Sequence, residues 1–130
     1  MSEWEMVEYR QVNKEQFAER FRQRTKQLAL EVIRFSQELP KTEEAVIMKR
    51  QLLRSATSVA ANYRAACRSR SSAEFYAKLS IVVEEADETL FWLELLSESG
   101  TTTNAKIAKI VNETTEILSV MAKARKNIKK

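Results

Sequence analysis

Histidine is absent from the 130 residues, and glycine, proline and cysteine each occur once. Without histidine there is no ordinary general base near neutral pH, and no Ser-His-Asp or Cys-His arrangement can form. Most metal sites go with it. A ferritin-like di-iron centre needs Glu-x-x-His pairs, which Glu84, Glu85, Asp87, Glu88 and Glu94 cannot supply. One glycine excludes a glycine-rich phosphate loop. One glycine and one proline together leave little turn chemistry for a β-sheet protein. Cys67 has no partner for an internal disulfide, which fits a reducing cytoplasm, and it reads as a small packing residue near a helix end. No run of about 18 apolar residues is present to span a membrane. The opening "MSEWEMVEYRQV" lacks the apolar stretch of a signal peptide. The expectation is a cytoplasmic protein with no enzymatic activity, no metal or cofactor, and no membrane partner.

What is abundant is alanine, glutamate, lysine, leucine and arginine, which argues for an all-α chain. A formal charge of +4 permits nucleic-acid contact without requiring it. Apolar residues recur at helical spacing in four segments, expected at about 13–39, 43–68, 72–99 and 104–124. In the first, "NKEQ" places Gln16 three residues after a candidate cap at Asn13, and Pro40 ends the run. Phe17, Phe21, Leu28, Val32, Phe35 and Leu39 form its inward stripe. Thr42 caps the second segment, with Glu43 and Glu44 at the positive end of the helix dipole. Its inward stripe is Ala45, Met48, Leu52, Ala56, Val59, Tyr63 and Ala66. Ser71 followed by Glu74 reads as a capping box for the third segment, and Gly100 as its stop. In the fourth, Ile107, Ile110, Val111, Leu118 and Met121 face inward.

Three of these segments would be about 40 Å long at 1.5 Å per residue. Short connections make sequential neighbours antiparallel, so the expected fold is an antiparallel up-down-up-down four-helix bundle of one domain. Residues 1–12 read as an arm whose Trp4, Met6 and Tyr9 need cover. Residues 125–130 read as a basic tail, and Lys123, Arg125, Lys126, Lys129 and Lys130 are its candidate nucleic-acid contacts.

Two helices carry more faces than a monomeric bundle needs. On the third, Ile81, Phe91, Trp92 and Leu95 fall roughly opposite the core stripe, with Glu84 and Glu88 beside them. A surface helix ordinarily has one apolar stripe and a polar back. The second face reads as a subunit interface, against the alternative that Phe91 and Trp92 flank a wide intramolecular core. On the second helix, Arg50, Arg54, Thr57, Ala61, Arg64 and Arg68 step by three and four along the outer side. Small residues there permit close approach, and arginines bracket them with carboxylate-pairing forks. Three readings of the stripe stand: an intersubunit seam with Glu84 and Glu88, a phosphate-binding surface, and a solvated charged face. Of the two functional readings the seam is the favoured one. Asn62, at the edge of the inner stripe, is expected to fix the junction with the third helix, near Ser71 and Glu74.

The stretch "RSATSVAANYRAACRSRSSAEFYAKLSIVVEEADETLFWLELL" resembles the bacterial four-helix-bundle family of 23S rRNA intervening-sequence proteins. Arg54, Ser55, Ala56, Ser58, Val59, Ala61 and Asn62 match its RSA-x-S-[VI]-x-AN run, and Ser72, Glu74 and Phe75 approximate its S-x-x-EF. Ala65-Ala66 replaces the Glu-Gly of many relatives, and Ala86-Asp87 their Gly-Ser pair. The resemblance implies a homo-oligomer, a five-fold ring of bundles, with no assigned enzyme activity. Relatives are associated by gene context with segments inserted in ribosomal RNA. The fold is also similar to accessory proteins of diversity-generating retroelements, which bind nucleic acid and a reverse transcriptase. The expectation is therefore a self-assembling accessory factor associated with RNA or DNA. The alternative is a pure protein-interaction scaffold, including an accessory subunit for a reverse transcriptase, with a nucleic-acid enzyme as the partner.

Overall fold

Each of the four helices begins on a hydroxyl. The side chains of Ser2, Thr42, Ser71 and Thr103 accept from the backbone N–H three residues on, at Glu5, Ala45, Glu74 and Lys106. These bonds satisfy donors that a helix start leaves free. The computed structural model describes residues 2–128, the side chains of residues 7–12 excepted. It comprises α1 (Glu3–Ser36), α2 (Glu43–Ala66), α3 (Ser72–Glu98) and α4 (Asn104–Lys126), with no strand among the described residues.

Both ends of α1 differ from the sequence expectation, and the other helix ends lie within two residues of it. α1 starts at Glu3 rather than Asn13, so residues 3–12 continue its backbone instead of forming a separate arm. Ser2 supplies the cap, and Glu3 and Glu5 suit the positive dipole end. Once the helix runs through Asn13 its N–H groups are already bonded, and the "NKEQ" box has nothing left to cap. α1 also stops at Ser36, before the expected Leu39. The residue preceding Pro40 is disfavoured in the α region, and the backbone tightens into three-residue bonds, Glu38 N–H to Phe35 O at 3.0 Å and Leu39 N–H to Ser36 O at 3.3 Å.

The end of α3 follows the sequence closely. Gly100 has φ +76°, the only positive φ among the described residues. Thr101 N–H reaches Leu96 O and Gly100 N–H reaches Ser97 O, both at 3.0 Å. These two bonds are the Schellman arrangement, which needs a left-handed residue and so favours glycine.

The inward stripe read from α2 is buried at every position, and Leu52, Ala56 and Val59 have no exposure at all. They meet Leu79, Val82, Ala86 and Leu93 of α3, and the core continues through Leu28 and Val32 of α1 to Ile117 and Met121 of α4. Each fully buried leucine or isoleucine stabilises the fold by roughly 1.5–3 kcal/mol. α2 and α3 share the most extensive seam, and α1 and α4 the thinnest. Across that thin seam Arg24 pairs with Glu113 and Glu116, while Glu31 pairs with Lys109 at 3.3 Å. The α4 partner steps backward as the α1 residue advances.

Candidate assembly surface and basic face

The "RSA" of the sequence is a clip between α2 and α3. Ala56 is fully buried and lets the two backbones approach. Ser55 and Thr89, both with zero exposure, place their hydroxyls 2.9 Å apart. Leu52 O lies 3.2 Å from the Ser55 hydroxyl and Glu85 O lies 2.8 Å from that of Thr89. Whichever hydroxyl donates across the seam, the other donates to its own helix, so neither is left unsatisfied. At the seam's edge Arg54 forks, one arm reaching Glu85 at 2.9 Å and the other reaching Glu88.

That fork corrects the expected intersubunit pairing for two residues. Arg54 and Glu88 meet within one chain, because Arg54 precedes the buried pair Ser55-Ala56 and lies at the flank of the seam, within reach of α3. Glu85 is the partner the sequence reading missed. Its signal was the i, i+3 spacing to Glu88 and i, i+4 spacing to Thr89 on the same side of α3. The Glu88 carboxyl is held below its ordinary range, first by the hydrogen bond from Arg54 and next by one from Trp92. Arg54 is correspondingly raised, chiefly by Glu88.

Trp92 is also turned further inward than expected. It is half-buried, packs against the core, and its Nε1–H donates to Glu88 at 3.2 Å. One step beyond the core positions Thr89, Leu93 and Leu96, it flanks the core rather than opposing it. Phe91 stands over its edge, with ring centroids 4.9 Å apart at 76°. What remains outward on α3 is Ile81, Glu84, Phe91 and Leu95, all exposed, with Phe91 51% exposed. This face has no partner among the described residues.

Arg50, Arg64 and Arg68 are exposed, and no carboxylate pairs with them among the described residues. The stripe therefore divides into one arginine held inside the chain and three facing water. Asn62 is half-buried, and its Nδ2 donates back along α2 to Ser58 O at 3.0 Å and Ser58 Oγ at 2.9 Å. Those bonds stay within α2 instead of crossing the α2–α3 junction, because Ser58 lies one turn away on the same face. Ser71 makes the expected cap, accepting from Glu74 N–H at 3.1 Å. Lys123, Arg125 and Lys126 belong to the last turn of α4 rather than to a free tail, where cations suit the negative dipole end. Lys129 and Lys130 lie outside the described residues.

Near the α2–α3 connection, an open cleft of about 930 Å³ runs among α1, the loop and α4. Phe17, Tyr63, Phe75 and Met121 give it apolar walls, and Lys14 and Arg70 line it too. Cys67, at the C-cap of α2, lies on its wall. Burial pushes the Tyr63 hydroxyl well above its ordinary range, so it stays a neutral donor. No group of three or more metal-ligating His, Cys, Asp or Glu side chains occurs among the described residues. No helix among the described residues is long and apolar enough to cross a membrane.

The chain falls within a known class of helical proteins. The family described as 23S rRNA-intervening sequence protein matches residues 19–123, and the chain belongs to it. A crystal structure from Bacteroides thetaiotaomicron VPI-5482, of a protein with unknown function from the S23 ribosomal protein family, is similar at 33% identity and a TM-score of 0.76. The likeness covers 82% of this chain and 98% of that one. No curated protein matches the chain.

Proposed function

We propose that this chain is a non-enzymatic, antiparallel up-down-up-down four-helix bundle that assembles into a homo-oligomeric ring and serves RNA or DNA as an accessory factor. The observation that carries the reading is the outward face of α3, where Ile81, Phe91 and Leu95 stay exposed in a helix whose opposite side already fills the core. An apolar helix back with an aromatic centre is the composition of a protein interface. Glu84 on this face and the free Arg50, Arg64 and Arg68 on α2 have opposite charge, so a neighbouring subunit can complement one with the other. The family resemblance supports five subunits. The family's description names an intervening sequence of 23S rRNA, and Lys123, Arg125 and Lys126 at the end of α4 offer phosphate contacts.

Light scattering tests the assembly. Phe91→Glu places a charge on the exposed face without touching the core, so smaller particles with unchanged helical circular dichroism are expected. A wild-type monomer at micromolar concentration overturns the ring. Binding of a duplex RNA across a salt series tests the second half. Each phosphate contact contributes a slope of about 0.9 on a log–log plot. Affinity that is absent, or insensitive to salt, favours the scaffold reading, in which the same surfaces engage only protein.

A further inference from the structure

α1 is the longest helix, and its first turn stands in solvent. Every described side chain from Ser2 to Gln16 is exposed, Trp4 at 71% and Met6 at 41%. Among the described side chains, the first of α1 to pack against the core is Phe17. Two large apolar side chains are thus held in water by a capped helix, among the acids Glu3 and Glu5. At the level of Phe17 lies the cleft described above, with apolar walls, Lys14 and Arg70 among its lining, and no acidic residue among its described lining. The arm and the cleft complement each other in both character and charge.

Trp4 does not reach this cleft in its own chain. In a straight helix Trp4 stands about 13 Å beyond Asn13 and about 20 Å beyond Phe17, and both of those residues line the cleft. A second copy has no such restriction. We infer that the N-terminal turns of α1, led by Trp4, dock into the cleft between α1, the α2–α3 loop and α4 of a neighbouring copy. A contact between two different surfaces of identical subunits is head-to-tail, and a head-to-tail contact closes into a ring when its rotation permits. The inference rests on the self-assembly proposed above and assigns it a second contact, separate from the outer face of α3. A buried tryptophan in an apolar pocket is the usual kind of interface anchor, and Glu3 and Glu5 facing Lys14 and Arg70 fix its direction.

The test uses the full chain in two variants. Trp4→Glu changes an exposed residue remote from the core, so helical circular dichroism should be unchanged. The concentration at which the protein assembles should rise at least tenfold by light scattering. Met6→Cys adds a second thiol to the chain, and a short bismaleimide should join it to Cys67 of another copy. The product would be a ladder of covalent oligomers whose linked peptide is identified by mass spectrometry, and it should vanish when Cys67→Ser is added. A Trp4→Glu particle that assembles like the wild type overturns the docking, and so does a link that forms only within one chain. Either result leaves the ring standing if the wild type is oligomeric. A wild type that is monomeric at micromolar concentration removes the ring itself and the docking with it.

Discussion

The α2–α3 and α1–α4 seams solve the same problem by opposite means. Between α2 and α3, Ser55, Ala56, Ala86 and Thr89 are all fully buried, so the backbones come close and contact is made by short side chains. Between α1 and α4 the helices stand further apart. Arg24, Glu113 and Glu116, joined by Glu31 and Lys109, bridge an open gap with long charged side chains. Arg24 also lies over the ring of Phe21, 4.8 Å from its centre, adding a cation–π contact. Close packing is sensitive to a single methylene, whereas flexible ion pairs tolerate displacement and are screened by salt. The first seam should therefore specify the fold and the second should contribute modest stability.

The largest expected effect comes from forcing the tight seam apart. Ala56→Leu has no room between α2 and α3 and should cost about 1–3 kcal/mol, read as a lower urea midpoint with unchanged slope. The matched change Ala108→Leu, at an exposed position of α4, should stay within about 0.5 kcal/mol. Equal losses at the two sites would remove the contrast between the seams.

A smaller effect tests the hydroxyl pair. Thr89→Val keeps the shape but removes the bond to Ser55, whose hydroxyl retains Leu52 O. A loss of about 1 kcal/mol is expected. In a double-mutant cycle with Ser55→Ala, the two changes should be clearly non-additive.

The smallest effects belong to the arginines. Arg54 is about half exposed, so Arg54→Ala should cost under about 1 kcal/mol at neutral pH. Arg24→Ala, which also loses the stacking on Phe21, should cost about 1 kcal/mol and less in high salt. Glu88 sets the sign of a pH dependence. Its folded pKa is depressed below the ordinary 4.5, so its contribution is present above that value and is lost as pH falls through the folded pKa. The stability difference between wild type and Arg54→Ala should therefore be full above pH 4.5 and vanish as pH falls through the depressed folded pKa of Glu88.

Much of this architecture was legible one residue at a time. The α2 stripe from Ala45 to Ala66 and the glycine stop after α3 depend on local spacing and backbone conformation, which a sequence states directly. Thr25, Thr89 and Thr114 were harder to place. Each is fully or almost fully buried, with its hydroxyl bonded to a carbonyl four residues earlier, so a residue that reads as polar behaves as a core residue. The candidate surfaces were legible as stripes but not as pairings. The angular position of Arg54 shows that it faces outward, and only the distance to α3 decides whether Glu85 and Glu88 are within reach.

By itself the sequence determined four helices, their caps at Thr42 and Ser71, the stop at Gly100 and an apolar surplus on α3. Each of these follows from interactions within about four residues. Tertiary structure decided that Arg54 and Glu88 are partners within one chain, that Trp92 leans inward, and that Trp4 and Met6 at the start of α1 stand exposed. Those outcomes depend on how closely helices approach and how far one extends past another. Such distances are set by the packed volume of side chains from all four helices together, and no single segment contains them.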